Sequence, residues 1–433
     1  MPVSKALLLL LASQSLALPS EKQESPAAAG VLHLPLVYVP SAVDADGKHA
    51  TRRQLSTGID NYQYNKDIAV GAVIEVGTPP QKVIVEPDTG SNNFWVLGLQ
   101  PGQKRAGAES TFFDQNSSSS LQDLGRERFN SYGNEQITTE LYTDNVSFGG
   151  RSVGKVTLGV GDLDRPGTNL GRHVGVLGLL PERGNENNKD FILQSLLDQN
   201  IVKSKAFGLG VRKHGQGALT FGGYDTSKFS GQLEKLPKKD TRLGFYAFEI
   251  KSLSFRPGSG QDAVELSTQD SRGQPLALGV DSGSLGFYPV RGTTRDFVAK
   301  TGAVVEADAY NFPCDVVAKG AAFDFQITDN TVVSVPLSDF VRERTPDGKT
   351  CKTFIAATNR RPTSIWAGRQ FLRRSYVVHD HAGKTMYVAR GADCGSTVVA
   401  IDGTMPDNVT GKCAREEPEA DQPPPAAPGS VPA

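Results

Sequence analysis

Two tetrapeptides, Asp88-Thr89-Gly90-Ser91 and Asp281-Ser282-Gly283-Ser284, repeat one pattern: aspartate, hydroxyl residue, glycine, hydroxyl residue. One such tetrapeptide arises by chance in roughly a few per cent of chains this long. Two copies, each behind a strand-like run and one in each half of the chain, are not expected by accident. Glycine lets the backbone turn sharply and lets a partner backbone approach closely. The hydroxyls of Thr89, Ser91, Ser282 and Ser284 can hydrogen-bond to the carboxylates or brace the turns. Two aspartates brought face to face do not readily both ionise, so they share a proton. One then serves as general base for a water while the protonated one donates to a substrate carbonyl.

The rest of the chain fits a frame for such turns. Its 433 residues, 38% hydrophobic and 21% charged, are enough for about two globular domains. Frequent glycine (46) and proline (26), with short runs of Val, Ile, Thr and Phe, favour strands and turns over helices. Residues 72–76 read as a strand, as do 68–70, and Gly77-Thr78-Pro79-Pro80-Gln81 reads as the turn that follows. Apolar spacing predicts helices over 190–197 and 294–300. Lys+Arg (46) nearly cancels Asp+Glu (47), so no overall field attracts nucleic acid or anionic lipid.

At the N-terminus, Lys5, the apolar run 6–12 and Ser15-Leu16-Ala17 read as a signal peptide over 1–17. No segment is long enough to span a bilayer, so no stable membrane anchor is expected. A less patterned stretch, 18–53, ends in Arg52-Arg53 and reads as a pro-segment cut after Arg53. Residues 414–433, rich in Pro, Ala and Glu, read as a disordered tail. Four cysteines allow three pairings, of which Cys314 with Cys351 and Cys394 with Cys413 is the simplest. Asn116, Asn145 and Asn408 stand in N-glycosylation sequons. The expected location is extracellular, free or associated with a cell wall.

From about residue 64 to 391 the chain resembles the pepsin-like aspartic proteases, particularly secreted fungal members. Beyond the two Asp motifs, the resemblance rests on 77–81, on Val176-Leu177-Gly178-Leu179 and on 221–225. Trp366-Ala367-Gly368 with Phe371-Leu372-Arg373 completes the ordered set. It implies an all-β, bilobal fold, with an N-terminal lobe over 54–235, a C-terminal lobe over 236–413 and a cleft between them. It implies Asp88 and Asp281 as catalytic residues, without metal or cofactor, in an endopeptidase that is monomeric and sensitive to pepstatin-type inhibitors. Cys314 and Cys351 match a disulfide position of the family. Tyr132-Gly133 matches the family's flap over the cleft, with Trp95 as the hydrogen-bond partner of Tyr132.

The chain departs from the family where Glu86-Pro87 replaces apolar residues before Asp88, and where Asn134-Glu135-Gln136 replaces a Gly/Ser-rich flap tip. By resemblance, Glu86 and Glu135 border the pocket for the side chain preceding the scissile bond and would attract Lys or Arg there. The alternative reading is a catalytically impaired relative acting as a binding protein or inhibitor. Intact aspartates, glycines and flanking hydroxyls weigh against it. His379-Asp380-His381 lacks further ligands at metal spacing and reads as a strand end.

Overall fold

A computed structural model describes residues 29–39 and 69–414, apart from 101, 103–108, 134, 171–173, 183, 186, 213–216, 240, 242–243, 259–261, 271, 290–293 and 358–363. The expected signal peptide, the Arg53 cut, most of the pro-segment and almost all of the tail lie outside the described residues.

Strand formation follows from alternation. In β2 (Ala69–Val76) the side chains of Ala72, Ile74 and Val76 point inward and are fully buried. Gly71 continues the strand, so the two runs expected over 68–70 and 72–76 form one element. The turn needs Gly77, whose φ of 93° favours glycine. β3 (Gln81–Asp88) returns antiparallel to β2. Its outer end alternates buried and open, whereas Val85 to Asp88 are all buried, alongside the parallel strand Gly175–Gly178. β1 (Leu32–Val39), inside the stretch read as a pro-segment, lies between β2 and strand Gly217–Phe221 and buries Leu32, Leu34 and Leu36.

Among the described residues one sheet of 15 strands runs through the molecule. It passes from Phe229–Pro237, Thr385–Gly391 and Ser375–Asp380 through Ala206–Gly210, β1, β2 and β3 to β4 (Phe94–Gly98). It ends in the hairpin of Gln122–Tyr132 and Glu135–Phe148. Sheets of eight and four strands build the second half. Phe255, Phe297, Phe312 and Phe323 pack between them with ring centroids 4.9–6.2 Å apart. The architecture is mostly β and bilobal, as expected. The predicted helices form over Ile192–Asp198 and Thr294–Thr301. The first starts two residues later than expected because Asn188–Phe191 closes a turn ahead of it.

Both disulfides form, Cys314–Cys351 and Cys394–Cys413. The second joins Cys394 to Cys413, which separately makes a β-bridge with Ser230 of strand Phe229–Pro237.

Candidate active site

Each Asp motif sits at the end of a strand that is paired to a second, parallel strand. Gly178 lies beside Asp88 in register, and Leu179 N–H donates to the Asp88 carbonyl at 2.7 Å. In the other half, Ser364–Ala367 runs parallel to Ala277–Val280, and Asp281 N–H donates to the Ala367 carbonyl at 3.1 Å. The two turns are therefore built alike from far-apart stretches.

The hydroxyls do three different things. Thr89 N–H donates to Ser282 Oγ, and Ser282 N–H donates to Thr89 Oγ1, each at 2.9 Å. Thr89 Oγ1 also donates to the Val280 carbonyl (3.3 Å), and Ser282 Oγ to the Pro87 carbonyl (2.7 Å). These two side chains brace one turn against the other. Ser91 Oγ instead donates to Asp88 Oδ2 at 2.5 Å, while Gly90 N–H donates to Oδ1 at 2.8 Å. Gly283 N–H donates to Asp281 Oδ1 at 3.0 Å. Ser284 Oγ turns to the Leu285 carbonyl at 3.4 Å, so the two motifs match in sequence but not in this hydroxyl.

The glycines bring the carboxylates together. A Cβ on Gly90 would lie 2.6 Å from Asp281 Oδ2, and a Cβ on Gly283 would lie 2.5 Å from Asp88 Cγ. Each carboxylate thus rests against the other motif's backbone, and close approach is the reason for glycine here. Asp88 is buried and Asp281 partly exposed.

Tyr132 ends the first strand of the hairpin, with Gly133 in the turn at φ 66°. Trp95 on β4 is fully buried, and its Nε1–H donates to Tyr132 Oη at 2.7 Å. Beside the first turn a polar cavity of about 120 Å³ is lined by Asn92, Asn93, Arg128, Glu182, Asn188 and Asp190, with Phe191. Arg128 Nη1 donates to Asn93 Oδ1 at 3.0 Å, and Asn93 Nδ2 to Asn130 Oδ1 at 2.7 Å.

Glu86 is not at the wall of an open pocket. It is 1% exposed, and its Oε1 lies 3.3 Å from Arg369 Nη1. The Arg369 guanidinium, itself interior, lies against Glu86. Glu135 sits apart from it, partly exposed at the hairpin tip opposite Tyr132. Arg369 went unremarked in the sequence. The available signal was a pair of opposite charges, each intruding on an apolar context: Glu86 before Asp88 and Arg369 after Trp366-Ala367-Gly368.

His379 is buried within strand Ser375–Asp380, stacked on Phe207 at 4.5 Å and close to Tyr246 at 4.3 Å. The strand ends at Asp380 and a turn follows, as expected, and His379 is buried just inside that end. His381 Nε2 bonds to Tyr246 Oη, which also donates to the Leu179 carbonyl at 2.8 Å. This links the strand behind Asp88 to the junction between the lobes. Asn116, Asn145 and Asn408 are all exposed.

The pattern of the eukaryotic aspartyl protease family matches residues 70–390. Candidapepsin-2 of Candida parapsilosis is 25% identical over 370 residues, covering 83% of each chain. An acid protease of Saccharomycopsis fibuligera is 28% identical over 408 residues, 87% of this chain and 96% of that protein. Rhizopuspepsin-2 of Rhizopus niveus is 27% identical over 337 residues, 75% of this chain and 80% of its own length.

Proposed function

Because this chain belongs to the eukaryotic aspartyl protease family, we propose that it is an aspartic endopeptidase in which Asp88 and Asp281 activate a water for attack on a peptide carbonyl. The observation that carries the reading is the crossed packing of Gly90 on Asp281 and Gly283 on Asp88. One carboxylate takes the proton of the attacking water and the other, protonated, donates to the carbonyl oxygen. The gem-diol then collapses as the first returns its proton to the leaving nitrogen and the second takes back a hydroxyl proton, so the C–N bond breaks without a covalent enzyme intermediate. Hydrolysis therefore favours acidic pH and fails where both carboxyls ionise. The substrate is an extended polypeptide beneath the Tyr132 hairpin, and pepstatin-type inhibitors are expected to compete with it.

Digestion of a peptide library at acid pH, with wild type beside Asp88→Asn, tests this. Cleavage by wild type alone supports the reading. Equal digestion by both overturns the role of Asp88, and digestion by neither overturns the reading in favour of a binding protein on a protease fold.

The same reading includes a secreted, glycosylated monomer with a signal peptide over 1–17 and a pro-segment cut after Arg53. The exposed sequons and two disulfides suit an oxidising compartment. After such a cut β1 remains hydrogen-bonded to strands on both sides. A peptide containing Leu32–Val39 should co-elute with the larger fragment under native conditions and separate in denaturant.

A further inference from the structure

Arg369 reaches toward both catalytic motifs, by its backbone to one and by its side chain to the strand that carries the other. Its backbone N–H donates to the Ser284 carbonyl at 3.0 Å, inside the turn that follows Asp281. Its neighbours hold the same loop: Gly368 N–H donates to the Gly286 carbonyl and Gly286 N–H to Gln370 Oε1, each at 2.8 Å. The Arg369 side chain runs the other way, to Glu86 on β3, two residues ahead of Asp88. Both side chains are interior, 5% and 1% exposed, so little solvent screens the pair.

A buried ion pair is a poor way to gain stability. Apolar residues of similar volume usually serve as well or better, whereas removing one partner strands a charge in the interior. An ion pair is, however, specific in a way that apolar packing is not, because each buried charge requires its partner. Here it joins the strand carrying one aspartate to the loop carrying the other. The hydroxyl exchange of Thr89 and Ser282 holds the turns at their tips; the Glu86–Arg369 contact holds them one layer further out.

We propose that Glu86 and Arg369 are a positioning pair that sets the separation of Asp88 and Asp281, and that Glu86 takes no part in reading the substrate. The proposal rests on the hydrolytic reading of the two aspartates. Misplacing reacting groups by about 1 Å can lower a rate by roughly a hundredfold.

The test compares wild type, Glu86→Gln, Arg369→Gln, Arg369→Lys and the double variant Glu86→Leu/Arg369→Met on one peptide substrate. Thermal melting is followed alongside. The double variant is expected to melt at or above the wild-type temperature, yet to keep a kcat reduced roughly tenfold or more with KM within about twofold. Arg369→Lys should recover part of the kcat that Arg369→Gln loses. A double variant that matches wild type in both stability and kcat overturns the proposal, even if the single variants fail to fold. So does a loss carried by KM, or a loss confined to substrates with Lys or Arg before the cut. Asp88→Asn in the same series separates the two failures. If it cleaves like wild type, the hydrolytic reading fails and the pair's role falls with it. If only wild type and the double variant cleave well, the pair's role alone fails.

Discussion

Thr89 and Ser282 exchange hydrogen bonds across the lobe junction, each backbone N–H donating to the other's hydroxyl at 2.9 Å. Both residues are buried, so neither N–H has water as a substitute. Thr89→Val keeps the shape but leaves Ser282 N–H without that acceptor. A loss of about 1–3 kcal/mol in urea unfolding is expected. Thr89→Ser retains the hydroxyl and should lose less than half as much.

Gly283→Ala places a methyl group 2.5 Å from Asp88 Cγ. The carboxylate has to move, because the obstacle is attached to backbone. Peptide hydrolysis should fall by roughly a hundredfold or more, while circular dichroism stays that of the wild type and stability drops by about 1–3 kcal/mol. Gly90→Ala should do the same to Asp281.

The indole of Trp95 is fully buried and donates to Tyr132 Oη. Tyr132→Phe removes that acceptor and loosens the hairpin over the site. A decrease of roughly tenfold in kcat/KM is expected, about the worth of one net hydrogen bond. The chain has only two tryptophans, so a shift in emission should accompany the kinetic loss. Unchanged emission and kinetics would remove the hairpin contact from the mechanism.

Burial lowers His379 well below the usual histidine value, with His381 and Lys238 adding to it. Burial, then Lys238 and Lys205, lowers His381 to about 3. In the unfolded chain both imidazoles protonate near 6.5. Below that pH the unfolded state binds more protons than the folded one, so their contribution to stability is complete above about 6.5 and declines as pH falls toward 3. This opposes the acidic preference of the proposed chemistry. His379→Phe should give a shallower loss of unfolding free energy between neutral and acid pH, measured by denaturant titration at each pH. An unchanged slope would show that His379 does not contribute to acid sensitivity.

What the sequence alone determined is local. Strand period was legible at Ala72, Ile74 and Val76, because the pleat alone puts alternate side chains on one face. The doubled Asp motif was legible as chemistry, because aspartate, hydroxyl and glycine announce a tight turn around a carboxylate wherever they fall. Tertiary structure decided what those residue types do. Ser91 and Ser284 occupy equivalent places in their motifs, yet one donates to a carboxylate and the other to a neighbouring carbonyl. Glu86 resembled a pocket residue until Gly175–Gly178 covered β3 and Arg369 came within 3.3 Å. The strand end at His379-Asp380 was legible, but the burial of His379 against Phe207 and Tyr246 was not. For Glu86 and His379 the deciding neighbours come from distant parts of the chain. Periodicity records the geometry of a single backbone segment, whereas burial on both faces and the choice of partner arise only when remote segments pack.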